Sequence, residues 1–239
     1  MLHTALAAGA SVVALAFSLS TFERWVERRE PHQLAWTVAF VLFLAAAVSL
    51  WWGAADRWTG PVFRLFYLFG AIANVPVLAL GTVYLVGSRR HGDRAAIAVV
   101  VFCAFSAGVV AAAPFTHAIP PHRLPQGSDV FGALPRVLAA VGSGVGALVV
   151  IAGAAWSAIR HRRRALANAL IVAGTLVLGA GGVLNSTVGA MNAFSISLLA
   201  GVVLIFVGFL AATTSPPISS AVRAGAASPP SPAEVSPRS

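Results

Sequence analysis

The residues best suited to chemistry in this chain lie inside hydrophobic sequence. Asn74 and Pro76 stand near the middle of residues 63–87, FRLFYLFGAIANVPVLALGTVYLVG, a run long enough to cross a bilayer. An amide at that depth finds no water, so it must meet a neighbouring helix or a polar ligand. Pro76 brings no amide hydrogen, which in a regular helix frees the carbonyl of residue 72 about halfway through the membrane. Broken helices of transporters hold solutes or ions at such carbonyls; a kink satisfied by an adjacent helix uses the same residues. Projected on a regular helix, Arg64, Tyr67, Ala71, Asn74, Leu78, Gly81 and Thr82 fall within roughly one third of the circumference, giving one polar, small-residue face.

A second polar group follows a glycine-rich run: Gly174, Gly179, Gly181 and Gly182, then Asn185, Ser186, Thr187, Gly189 and Asn192. It suits either a break lining a cavity or a tight hairpin between close helices. Tyr67, Asn74, Thr82, Asn185 and Asn192 are therefore the candidate ligand-binding residues for a small polar solute. Arg64 and Arg136, at the outer starts of two runs, could with Arg123 attract an anion or instead reach lipid phosphates. Gly142 and Gly146, with Ser143 and Gly144 beside them, form a small-residue repeat that reads as helix packing or dimerisation.

The positioning elements follow from composition. Hydrophobic residues make up 58% of the chain and charged ones 10%, well below the roughly 25% charge of a soluble domain. Seven apolar runs approach spanning length, at 2–22, 34–54, 63–87, 95–117, 135–159, 165–185 and 193–213. The first has no basic stretch before it and reads as a retained span. The expected fold is an all-α, integral membrane seven-helix bundle, followed by a disordered cytoplasmic tail over 214–239.

All 16 basic residues are arginine, and ten of them occupy alternate connections: Arg24, Arg28, Arg29, Arg89, Arg90, Arg94, Arg160, Arg162, Arg163 and Arg164. The excess of positive charge on the cytoplasmic side places the N-terminus outside and the C-terminus inside. Trp25, Trp36, Tyr84 and Trp156 then fall near the inner interface, and Trp51, Trp52, Trp58 and Tyr67 near the outer one, where amphipathic rings settle. The formal charge of +9 is thus accounted for by topology without a nucleic-acid partner. The proline-rich connection IPPHRLPQGSDVFGALPR is the longest external loop and the candidate lid.

Several chemistries lack their residues. A retinal Schiff base needs a lysine, and the sequence has none. No acid stands near the centre of a run, which disfavours proton relay. No HExxH, GxSxG or paired carboxylates occur in the runs, so enzyme is the weakest class. Cys103 is the sole cysteine. His3, His117 and His122 gather on the outer side, His32, His91 and His161 on the inner. Neither set, even with Asp129, justifies assigning a metal or another cofactor.

The run FRLFYLFGAIANVPVLALGTVYL after RWTGP, together with LAWTVAFVLF, resembles uncharacterised multi-pass membrane proteins of high-GC bacteria. That resemblance implies a bacterial cytoplasmic membrane and transfers no active-site residue. The functional expectation is a permease-like or small-solute-binding membrane protein. The alternative is a non-transporting receptor, sensor or accessory subunit, meeting a cytoplasmic protein through its arginine-rich loops and tail. Membrane lipid is an expected partner in either case.

Overall fold

The computed structural model describes residues 2–121, 123–160, 165–188 and 191–213. The tail over 214–239, His122 and Arg162, Arg163 and Arg164 lie outside the described residues, as do the side chains of His3, Asn185 and Asn192. The described chain is all-helical. Its long helices are α1 (Leu2–Arg28), α2 (Pro31–Ala55), α3 (Gly60–Val86), α4 (Arg89–Ala112), α5 (Ala133–Arg160), α6 (Ala165–Val188) and α7 (Met191–Thr213).

Backbone chemistry sets the turns. Arg29 ends α1 at φ 55, the left-handed conformation that usually terminates a helix, and its amide bonds the Trp25 carbonyl at 2.8 Å. Pro31 and Pro61 open α2 and α3, where a missing amide hydrogen costs nothing. Pro114 follows the end of α4 and prevents its continuation.

Five helices, α1 to α5, are long and apolar enough to cross a membrane, and their surfaces agree. Val12, Ile97 and Leu148 are each 68% exposed, and Val100, Val101, Phe105 and Val145 stand out beside them. An apolar belt of that extent is stable in hydrocarbon and would drive association in water. These features mark a membrane-embedded protein.

Packing links α1 to α2, α2 to α3, α3 to α5, α5 to α6, α6 to α7, and α7 back to α1, closing a ring among the described residues. Helix α4 stands outside the ring against α3 and α5; 11% of its apolar window is buried, against 50% for α2. Lipid offers no hydrophobic drive between helices, so the contacts depend on small side chains that let backbones approach. Ala7, Ala10 and Ala14 are completely buried on one face of α1. Phe43, Ala47 and Val202 close over Ala10 and Ala14, while Phe17, Phe40 and Ile205 continue the contact one layer further along.

The α3–α5 seam brings two backbones close together. A Cβ on Gly146 would lie 2.9 Å from the Val75 carbonyl carbon, and one on Gly142 2.8 Å from the Ile72 oxygen. Gly144, on another face of the same turn, meets nothing within 4 Å. Gly146→Ala is therefore expected to lower stability by about 1–3 kcal/mol through overpacking, whereas Gly144→Ala leaves it unchanged; thermal unfolding of the two variants in one detergent tests the contrast.

Candidate functional site

Helix α3 is not regular. Gly60–Phe66 is α-helical, Tyr67–Ala73 is a π-helix and Asn74–Val86 returns to α. The Asn74 amide bonds back to the Phe69 carbonyl, five residues earlier. In that register the residue opposite Pro76 is Ala71 rather than Ile72, so the carbonyl deprived of a donor moves by one. Ser143 on α5 supplies the replacement, its hydroxyl donating to the Ala71 oxygen at 2.6 Å. Gly142 and Gly146 flank Ser143 on the closely packed face, which is what lets a short serine side chain reach another helix's backbone. A π stretch of seven residues is uncommon, and such stretches concentrate at functional positions.

The π segment also undoes the single polar face expected from a regular period. Its wider turn shifts the residues before it against those after it, so Arg64 and Tyr67 part from Gly81 and Thr82. Gly81 lies under the Trp36 indole of α2, whereas the Thr82 methyl abuts Gly153 of α5. Tyr67 and Thr82 are separated by 15 positions, or about 20 Å along a helix axis. Tyr67, Asn74 and Thr82 thus line successive levels of the span and do not converge on one pocket.

Each has a distinct environment. Tyr67 is 9% exposed, packed 5.7 Å from the Phe63 ring and 5.0 Å from Phe131, with its edge against Gly127. Asn74 is half-buried beside the π segment, and its side-chain amide makes no hydrogen bond among the described residues. Thr82 is half-buried near the C-terminal end of α3. Asn185 and Asn192 belong to α6 and α7, with side chains outside the description.

The arginines separate in the same way. Arg64 donates to the carbonyl of Val110 and, at 2.8 Å, to that of Ala113, while its guanidinium lies 4.2 Å from the Phe115 ring centroid. It caps the negative end of α4 and uses its donors on backbone. Arg136 is exposed in the first turn of α5, and Arg123 is exposed in the connection between α4 and α5. Arg64 and Arg136 were expected to attract an anion or reach lipid phosphates; the structure gives Arg64 a backbone cap and leaves Arg136 at the surface.

The 113–132 connection folds over these ends. Phe131 stacks on Phe63 at 5.4 Å and forms an isolated antiparallel bridge with Phe115. The Trp58 amide donates to the Pro121 carbonyl at 3.0 Å, and the Thr116 amide to that of Val130 at 2.9 Å. The His117 ring meets the Asp129 carbonyl at 2.8 Å, a backbone contact. No cluster of three metal-ligating side chains occurs among the described residues.

Sequence reasoning passed over one buried polar group. Thr21, completely buried, and Thr37, 7% exposed, bring their hydroxyls to 3.0 Å between α1 and α2. Gln33, 6% exposed, lies one turn away, and its side-chain oxygen has no donor. Its amide nitrogen is 3.1 Å from His32, which in turn is 3.2 Å from Glu30. The i, i+4 spacing of Gln33 and Thr37 was the available signal. Near the end of an apolar run it resembled ordinary interface polarity.

Arg64→Leu should uncap α4, raising amide exchange over residues 105–113 and costing about 1.5–3 kcal/mol, the usual worth of hydrogen bonds to a charged group. Arg64→Lys should restore part of that protection. Exchange measured by mass spectrometry on the two variants separates loss of the cap from loss of packing.

The chain matches no protein-family model, no curated protein and no solved structure.

Proposed function

We propose that this protein is a permease-like or small-solute-binding membrane protein that uses α3 as its working helix. In this reading seven helices span a bacterial cytoplasmic membrane, with the N-terminus outside and the C-terminus in the cytoplasm. The single observation that carries the reading is the mid-span π segment: Ala71's carbonyl depends on Ser143 of another helix, and Asn74's amide stands beside it without a described partner. A solute with donor and acceptor groups could take up that amide. Relaxation of the π stretch toward α register would turn the outer half of α3 relative to the inner half and carry Tyr67 and Arg64 with it. Asn185 on α6 and Asn192 on α7 remain the further ligand residues of this reading, and Arg136 supplies surface charge at the outer end.

A second reading has its own support. The α3–α5 seam is tightly closed at Gly142, Gly146 and Gly153, and the apolar helix α4 is barely covered by the rest of the chain. Those features suit a non-transporting receptor or accessory subunit, held in place by lipid and other proteins. Its cytoplasmic contact would be the arginine-rich connections and the tail.

Asn74→Leu is expected to insert normally and to lose thermal stabilisation by small polar solutes that stabilise the parent protein. A parent response that persists in the variant overturns the role of Asn74. If instead deletion of 214–239 with neutralisation of Arg162, Arg163 and Arg164 removes a co-purifying protein, the accessory-subunit reading prevails. Reporter tags at His91 and Gln126 should appear on opposite sides of the membrane; the same side for both would refute the proposed topology.

A further inference from the structure

A groove of about 400 Å³ opens at the outer ends of α4 and α5. Val109, Ala112 and Ala113 form one wall, Ala133, Leu134 and Pro135 the other, and Thr116 is the one lining residue with a polar side chain. The Thr116 hydroxyl is turned away from this role, donating to the Asp129 carbonyl at 3.0 Å. The size is that of a small-ligand site, which runs from about 300 to 1,000 Å³, but the lining offers almost nothing to hydrogen-bond.

Position identifies the occupant. The groove lies where two membrane-crossing helices reach the interface, and its walls continue into the bilayer-facing surface: Leu134 is 52% exposed, Val137 54% and Phe105 55%. Hydrocarbon is the solvent on that surface, so an acyl chain can enter sideways without leaving the membrane.

Charge near these helix ends bears on the headgroup. The carboxyl end of α4 would repel a phosphate, but Arg64 already satisfies the Val110 and Ala113 carbonyls there. Arg136 follows the groove-lining Pro135 directly and is exposed. On the outer connections and helix starts, Arg57, Arg64, Arg123 and Arg136 face Asp56 and Asp129, leaving an excess of positive charge.

From these observations we infer that the α4–α5 groove is a binding site for one anionic phospholipid, with an acyl chain against Ala112 and Leu134 and its phosphate on Arg136. The lipid fills the space between the lightly held α4 and the ring, where α4 makes few contacts of its own. It thereby supports the helix whose end carries the Arg64 cap. This site is independent of the polar solute proposed for α3.

Native mass spectrometry of the full chain, loaded with phosphatidylglycerol or phosphatidylcholine, tests the assignment. The parent protein should retain a single phosphatidylglycerol per chain, roughly fivefold more than phosphatidylcholine, the preference expected from one arginine at the membrane surface. Arg136→Gln should level the two lipids. Ala112→Trp and Ala133→Leu should lose retention of both, while Leu148→Trp, on the exposed face further down α5, should behave as the parent. Equal retention of the two lipids by the parent overturns the site, as does a folded Ala112→Trp or Ala133→Leu protein that keeps its lipid. If the filling variants fail to fold, the headgroup comparison in the parent and in Arg136→Gln decides alone.

Discussion

A backbone carbonyl in hydrocarbon must find a donor, and the structure depends on how three carbonyls, those of Ala71 in mid-helix and of Val110 and Ala113 at the end of α4, find theirs. Pro76 withholds the amide that the π register would offer Ala71, and Ser143 replaces it from α5. The last turn of α4 lacks following amides, and Arg64 replaces them from α3. Both repairs run between helices. They fix the level of α3 against α5 near its middle and against α4 near its start, so the irregular helix is pinned at two heights.

Small residues make the first repair feasible. Ser143 reaches Ala71 because Gly142 and Gly146 let α5 approach the α3 backbone closely, with Gly153 receiving Thr82 two turns further on. A serine hydroxyl is short, so reaching a neighbouring backbone is helped by helix axes at or inside the usual separation of about 8–10 Å. Aromatic packing makes the second repair durable. Phe115 lies under the Arg64 guanidinium, and Phe131 joins Phe115 to Phe63 and Tyr67, so the 113–132 connection is tied to the helix it covers. The connection is ordered by rings and backbone bonds despite its prolines.

The same two features divide what could be read in advance from what could not. Asn74 and Pro76 were visible as a mid-run disturbance, and Gly142 with Gly146 as a packing face. Their meeting was not visible, because 67 positions separate Pro76 from Ser143 in the chain. The regular-helix projection placed Arg64, Tyr67 and Thr82 on one face, but a π segment changes the angle per residue, and nothing in YLFGAIA announces it. Arg64 read as a surface charge because arginines at the start of a span usually are; its use as a cap depends on where α4 ends. Thr21, Gln33 and Thr37 were individually unremarkable until α1 and α2 brought them together.

The apolar composition and the lengths of the hydrophobic runs determined, by themselves, that this chain is helical and membrane-embedded, since unpaired backbone in lipid leaves few other solutions. Proline and glycine positions likewise dictated several helix ends and the faces that could approach. Tertiary structure alone decided which helices are neighbours, which carbonyl Pro76 leaves bare, what Arg64 bonds, and where a groove remains open. Those outcomes rest on distances between segments remote in sequence, and local propensity carries no information about such distances.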